Sequence, residues 1–278
     1  MKDVVALITG GSRGIGRGMA LALLAEGATV HVTGRTMTDA EARVHPQGSG
    51  SLEGLQVEAE PLLGNLVVYR CDHAVDAQTE AVVEEIGRGG RLDILVNNAW
   101  PGYERMVEGD QFTWVHPFWQ QPTWRWNSMI DVGLRSAFVT SRAAAPMMVD
   151  RKRGLIVNIS FWAAELFNGN AIYGVAKAAA NKMASDFAHD LEPHNVAALA
   201  LYPGLVRTEA VMRAAEFFDL SNSESPQFIG RVIAGLWKDP ELMNKSGKVH
   251  VAAQLAREYG LSDIDGFKPR PLTGRDIV

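Results

Sequence analysis

The strongest constraint on the fold lies in the first sixteen residues. Val4-Val5-Ala6-Leu7-Ile8-Thr9 is a short apolar run, and Gly10-Gly11-Ser12-Arg13-Gly14-Ile15-Gly16 follows it at once. Ile15, Met19, Ala22 and Leu23 then recur at helical spacing, up to a stop at Gly27. A strand, a glycine turn and a helix in that order form a cradle for a pyrophosphate. The glycines let the backbone come close, and the helix N-terminus holds the charge. Three residues separate Gly10 from Gly14, so the context rather than the usual G-x-G-x-x-G spacing carries the reading.

Gly10-Gly11-Ser12-Arg13-Gly14 also satisfies G-x-S-x-G, the nucleophile turn of hydrolases. That turn usually sits well into its fold and needs an acid and then a histidine after later strands. Directly after a first strand, nucleotide binding is the better reading.

The same rhythm continues downstream. Apolar runs at Thr29–Thr33, Leu66–Arg70, Ile94–Val96, Leu155–Ile159, Val196–Leu201 and Lys248–Val251 do not alternate with polar residues, as strands buried on both faces do not. Helical patterns separate them, including two long ones near Asn127–Val149 and Ala171–Leu191. The expected fold is α/β: one Rossmann-like, doubly wound parallel sheet with helices on both faces, a single domain over residues 1–278. Two stretches break the pattern. Residues 37–65 carry Pro46, Gly48, Gly50, Gly54 and Pro61, and are expected to leave the fold as a loop. Residues 100–126 hold five of the seven tryptophans, which either pack as a second core or line a substrate pocket. From Ala252 an irregular tail is expected.

Composition narrows the partners. Net charge is −5 with acids and bases interspersed, which argues against nucleic acid. The single cysteine, Cys71, allows no internal disulfide and suits a reducing compartment. No apolar run is long enough for a membrane span, and Met1-Lys2-Asp3 leads straight into the first strand. The expectation is a cytoplasmic protein acting on a small molecule, with no metal site.

Two further positions point to chemistry. Gly34-Arg35-Thr36 ends the second strand, where an acid would hold the ribose 2′-hydroxyl of NAD. Arg35 instead attracts a 2′-phosphate, with Arg13 beside it, so NADP is favoured. Tyr173 and Lys177 stand four apart on a long helix and share a face. A phenol titrates near 10, and bringing it to neutral pH takes roughly 4 kcal/mol of differential stabilisation. A neighbouring ammonium supplies a shift in that direction.

With these residues in hand, the chain resembles the short-chain dehydrogenase/reductase family. The matching pieces are Thr9–Gly16, Cys71-Asp72, Asn97-Asn98-Ala99, Tyr173-Gly174-Val175-Ala176-Lys177 and Pro203-Gly204-Leu205-Val206-Arg207-Thr208, in family order. Asp131–Arg135, Gly154–Val157, Ser246–Val249 and Leu255–Leu261 match one branch of it more closely. The resemblance implies roles. Asp72 and the His73 backbone would meet the adenine, while Asn98 and Ala99 would line its ribose. Lys177 would hold the nicotinamide ribose and tune Tyr173. Pro203, Gly204, Val206 and Thr208 would contact the nicotinamide amide and pyrophosphate. Asp72 also reads as a helix N-cap. The resemblance further implies a homodimer or homotetramer.

The chain departs from the family at three places. Trp100 follows Asn97-Asn98-Ala99 where glycine is usual, and Gly133 stands where an asparagine commonly serves proton relay. The carbonyl-binding serine is usually the second of a pair after the fifth strand, and here the pair reads Ser160-Phe161. Spacing to Tyr173 favours Ser160, whereas counting from the strand favours Phe161. Ser160 is assigned as the only nearby hydroxyl. The expected enzyme is an NADP(H)-dependent oxidoreductase reducing a ketone or aldehyde, or running in reverse, with Ser160, Tyr173 and Lys177 catalytic. The alternatives are an NAD-linked alcohol dehydrogenase and a nucleotide-binding regulator or scaffold that has lost catalysis.

Overall fold

The computed structural model of the chain describes residues 1–44 and 50–276. Its strands are β1 Val5–Ile8, β2 Thr29–Gly34, β3 Asn65–Arg70, β4 Ile94–Asn97, β5 Val107–Glu108, β6 Gln111–Phe112, β7 Gly154–Ile159, β8 Val196–Tyr202 and β9 Val249–Val251. Its α-helices are α1 Gly14–Ala25, α2 Asp39–Val44, α3 Leu52–Ala59, α4 Asp76–Gly87, α5 Thr123–Trp126, α6 Arg135–Arg151, α7 Ala171–Leu191, α8 Glu209–Arg213, α9 Pro226–Lys238, α10 Leu242–Lys245 and α11 Ala252–Glu258. Seven strands form one parallel sheet in the order β3-β2-β1-β4-β7-β8-β9. β5 and β6 form a separate antiparallel hairpin.

The apolar runs become strands because both of their faces are covered. Ala6, Ile8, Ile94, Val96, Leu155 and Val157 pack with Met19 and Leu23 of α1, Phe228 and Val232 of α9, and Leu255 of α11. Leu7, Leu95 and Ile156 point the other way, toward Val82, Val83 and Ile86 of α4, Ala144 and Met148 of α6, and Ala188 and Leu191 of α7. α1 ends as its sequence suggests: Gly27 takes φ +87°, and the Ala28 N–H reaches back to the Leu23 carbonyl at 3.1 Å. The chain order reverses at β1, which pairs with β2 on one side and β4 on the other. The crevice beyond the carboxyl ends of these strands is where such sheets bind ligands.

Two expectations are corrected. Residues 37–65 are not simply a loop: α2 and α3 form there, Ser51 caps α3 by accepting from Gly54 N at 2.9 Å, and Leu52 and Leu55 are fully buried. Pro46 and Gly48 lie outside the described residues. The tail from Ala252 begins as α11, whose Leu255 and Ala256 enter the core, before becoming irregular. Residues 100–126 hold a hairpin, a turn of 3-10 helix and α5. From α5 the chain runs through π-helical turns at Asn127–Leu134 into α6. Among the described residues, no helix is long and apolar enough to cross a membrane.

Candidate active site

The glycine turn is fixed by backbone bonds. Gly10 and Gly14 take φ of +71° and +58°, which side-chain-bearing residues rarely adopt. The Asn98 side-chain amide donates to the carbonyls of Thr9 and Gly10, both at 2.9 Å. Thr9 Oγ1 accepts from the backbone N–H groups of Asn98 and Ala99. A Cβ on Gly10 would lie 2.8 Å from Ala99 Cα, and one on Gly16 would lie 2.2 Å from the Gly10 carbonyl oxygen. Asn98 and Ala99, expected at the ribose, therefore also hold the turn in shape. The Gly14 N–H, opening α1, donates to Glu209 Oε2 at 2.9 Å, so this helix end already receives an anion.

Two arginines stand at this end, Arg13 in the glycine turn and Arg35 after β2. Arg13 Nη2 donates to Thr36 Oγ1 at 2.9 Å. Arg35, at the end of β2, forms an ion pair with Glu104 of the aromatic segment. Asp72 Oδ1 accepts from Ala74 N at 3.0 Å, a local side-chain turn ahead of α4 rather than a helix N-cap, since Val75 occupies the cap position of that helix without a side-chain bond. His73 is buried between Thr33 Oγ1 at 2.7 Å and Thr79 Oγ1 at 2.9 Å, and burial pushes its imidazole down to about 4.

The loop after β8 carries Pro203, Gly204, Val206 and Thr208. Val206 forms a parallel bridge with Glu224. Glu224 Oε1 accepts from Gly204 N at 2.7 Å, and burial pushes this carboxyl up to about 8. Thr208 caps α8 through Val211 N.

Tyr173 and Lys177 lie together in the first turns of α7, both buried. Asn170 caps that helix, accepting from Tyr173 N at 3.1 Å, and its amide donates to the Trp114 carbonyl at 2.8 Å. Lys177 Nζ donates to the Ile159 carbonyl at 3.2 Å and stands 4.0 Å from the centroid of the Trp100 ring. Burial pushes Lys177 down to about 7 and Tyr173 well above its usual value. In this arrangement the Lys177 nitrogen lies 5.7 Å from the phenol ring centroid, and desolvation disfavours the charged form of each.

Ser160 is engaged within the chain itself. Its buried hydroxyl donates to the Lys177 carbonyl at 3.1 Å, within the chain's own packing. Phe161 lies beside the site, its ring 6.5 Å from that of Tyr173. The Tyr173 hydroxyl instead accepts a hydrogen bond of 2.7 Å from Tyr103.

The other two departures fit each other. A Cβ on Gly133 would lie 2.8 Å from Trp100 Cε3, so the indole fills the space an asparagine side chain would take. Trp100 and Trp114 flank Tyr173 with ring centroids 5.9 and 5.3 Å away. The segment is organised by Arg125, fully buried, which donates to the carbonyls of Thr113 and Arg105 at 2.9 and 3.1 Å and to Gln121. Of the five tryptophans, Trp100 and Trp114 pack beside Tyr173, while Trp119 and Trp126 are exposed.

Comparison with known proteins decides the family. The short chain dehydrogenase model matches residues 4–217. This chain belongs to the short-chain dehydrogenase/reductase family. It is 38% identical to mouse dehydrogenase/reductase SDR family member 1, over 96% of this chain and 85% of that protein. It is 30% identical to Escherichia coli 5-keto-D-gluconate 5-reductase, over 84% and 83%. A short-chain type dehydrogenase/reductase from Mycobacterium marinum superposes with TM-score 0.73 at 25% identity, covering 90% of this chain and 94% of that one. A short chain dehydrogenase from Mycobacterium thermoresistibile, 22% identical, shares the fold with TM-score 0.78 over 98% and 92%. The family consists of oxidoreductases that use nicotinamide cofactors. The residues present fit such a dinucleotide: the side-chain-free cradle at Gly10 and Gly16, an N–H at Gly14 that donates to a carboxylate, Arg13 in the glycine turn and Arg35 at the end of β2.

Four site residues were missed by sequence reasoning. Tyr103 and Glu104 sat inside a segment noticed only for its aromatics. Glu209 adjoins Thr208 in a motif that was noticed, and its acid at a helix start was a usable signal. Glu224 gave none, because only the folded chain brings it under Gly204.

Proposed function

We propose that this chain is an NADP(H)-dependent reductase of ketones or aldehydes, or the corresponding alcohol dehydrogenase. The observation that carries the reading is the Tyr173 hydroxyl, held on a capped helix, hydrogen-bonded to a second hydroxyl and four residues from Lys177. Gly10, Ser12, Arg13, Gly14, Ile15 and Gly16 would hold the pyrophosphate, and Arg35 the 2′-phosphate. A bound nicotinamide supplies hydride chemistry. Tyr173 gives its proton to the developing alkoxide, a role that contributes about 10²-fold or more. Lys177 orients the ribose and, once rehydrated and charged, favours the phenolate. The buried aromatic walls favour an apolar substrate. A homodimer or homotetramer is part of this reading.

The reading is tested with Tyr173→Phe. NADPH affinity should hold while NADPH oxidation with a carbonyl falls about 10²-fold or more. NADPH should bind at least about tenfold tighter than NADH, roughly 1.4 kcal/mol, and Arg35→Asp should abolish that preference. Equal affinities would favour the NAD-linked alternative. The reading as a nucleotide-binding protein without catalysis draws on the engaged Ser160 hydroxyl and on Trp100 filling the space beside Gly133. It predicts cofactor binding with no oxidation across a carbonyl panel.

A further inference from the structure

We propose that Tyr103 is a second catalytic residue, the hydrogen-bond donor to the substrate oxygen that Ser160 and Phe161 do not provide. This rests on the carbonyl reductase reading above. A carbonyl oxygen reduced with a tyrosine proton donor develops negative charge, and a second donor aimed at it stabilises that charge. The sequence places no free hydroxyl for this task after β7: Ser160 Oγ is bonded to the Lys177 carbonyl, and the next side chain is a phenyl ring. The hydroxyl that does meet Tyr173 comes from Tyr103, at 2.7 Å.

That separation suits the role. Two hydroxyls 2.7 Å apart can both reach one third oxygen at ordinary hydrogen-bond distances, and a carbonyl oxygen has two lone pairs to receive them. An entering substrate oxygen takes the place of Tyr173 as acceptor for Tyr103, and receives Tyr173 as its other donor. The Tyr103 O–H bond stays intact throughout, so the only proton transferred is that of Tyr173. Burial of the Tyr103 hydroxyl pushes it up to about 12, which keeps it a donor.

The position is also built rather than incidental. The Tyr103 ring packs against Trp100, Trp114 and Tyr173, with centroids 6.1, 5.6 and 5.8 Å away. Asn170 binds the Trp114 backbone and caps the helix bearing Tyr173, so one residue joins the supports of both hydroxyls. Tyr103 itself is 42% exposed, with its hydroxyl turned inward, so it stands between solvent and the buried phenol.

The test uses purified wild type, Tyr103→Phe, Phe161→Ser, the double variant and Tyr173→Phe. Each is assayed for NADPH oxidation with a panel of ketones and aldehydes, for NADPH affinity by fluorescence quenching, and for thermal midpoint. Tyr103→Phe should fold, bind NADPH as wild type does, and lose kcat by about 10²-fold. Adding Phe161→Ser should recover at least tenfold of that loss, because it returns a donor from the other side of the site. Phe161→Ser alone should bring no gain in kcat, since the donor is already present. Should Tyr103→Phe not fold, this single variant still decides: a gain of tenfold or more means that the native site lacks a donor, and the proposal falls. Normal turnover of Tyr103→Phe beside an inactive Tyr173→Phe overturns the role of Tyr103 and leaves the reductase reading standing. A wild type that binds NADPH but reduces no carbonyl overturns both.

Discussion

The two ends of the nucleotide groove are made in opposite ways. At the glycine turn the shape lies in the backbone: two left-handed glycines, whose turn is held by a threonine hydroxyl accepting from two N–H groups and an asparagine amide donating to two carbonyls. The glycine positions themselves leave no room for a Cβ, as the 2.2 Å approach at Gly16 shows. At Tyr173 the shape is set by side chains alone, with Trp100, Tyr103, Trp114 and Phe161 around one phenol. A backbone-made site admits few sequences and so announces itself. A side-chain-made site can be rebuilt from different residues, and here two departures from the family compensate for each other. The largest expected effect follows from that pairing. Gly133→Asn drives a side chain into the Trp100 indole and should destabilise the fold by about 1–3 kcal/mol, the usual range for overpacking. Trp100→Gly with Gly133→Asn should recover most of it, because the cavity left by one is filled by the other. Denaturant unfolding of both single variants and the double gives the coupling. Simple additivity would mean that the indole and Gly133 are independent.

The same contrast explains what could be read in advance. The seven sheet strands, their parallel order, both long helices and the glycine turn were legible because each rests on a local rule: two-faced burial, helical period or left-handed backbone. The places of Arg35 and Tyr173 were legible because they are tied to the end of a strand and the start of a helix. Ser160 was assigned by spacing along the chain, which does not say which way a side chain leaves the backbone. Its hydroxyl goes to the Lys177 carbonyl. Tyr103 and Glu104 could not be placed, because their positions depend on Arg125 folding residues 105–121 about its guanidinium. The loop at residues 37–65 was misread because its prolines and glycines outweighed a short helical pattern, although Leu52 and Leu55 find the core.

Between the two ends, the loop from Pro203 to Thr208 rests on Glu224, and this contact sharpens the comparison through pH. Glu224 is raised from 4.5 to about 8, chiefly by burial. Between those values the folded chain holds a proton that the unfolded chain has released, so this group stabilises at low pH and its contribution is lost as pH rises through 8. His73, depressed to about 4, and Lys177, depressed to about 7, have the opposite sign over their own ranges. Only a difference between variants isolates Glu224. Glu224→Gln keeps an acceptor for Gly204 N and cannot ionise. Its stability relative to wild type should rise from pH 4.5 to 8, by up to about 2 kcal/mol over the last one and a half pH units. Parallel stability curves from denaturant titrations would show that the carboxyl ionises freely in place.

The smallest effect concerns a contact that joins the two constructions. Glu104 follows Tyr103 in sequence, and the pair reaches both ways: Tyr103 to the Tyr173 phenol, Glu104 to Arg35 at the end of β2. A 2′-phosphate at Arg35 would have to compete with this carboxylate. The competition is weak, because the Arg35 and Glu104 side chains are 45% and 28% exposed, and such ion pairs contribute about 0.2–1 kcal/mol. Glu104→Gln should therefore tighten NADPH only about two- to fivefold and leave NADH unchanged, since NADH carries no group for Arg35 to hold. Added salt should shrink the gain, as screening weakens the exposed pair in the wild type. Fluorescence titrations of both cofactors at low and high ionic strength give all four numbers. Equal tightening of NADH and NADPH would mean that Glu104 acts through the aromatic segment as a whole, not through Arg35. The backbone-made end of the groove would then depend on the side-chain-made end more than this single ion pair implies.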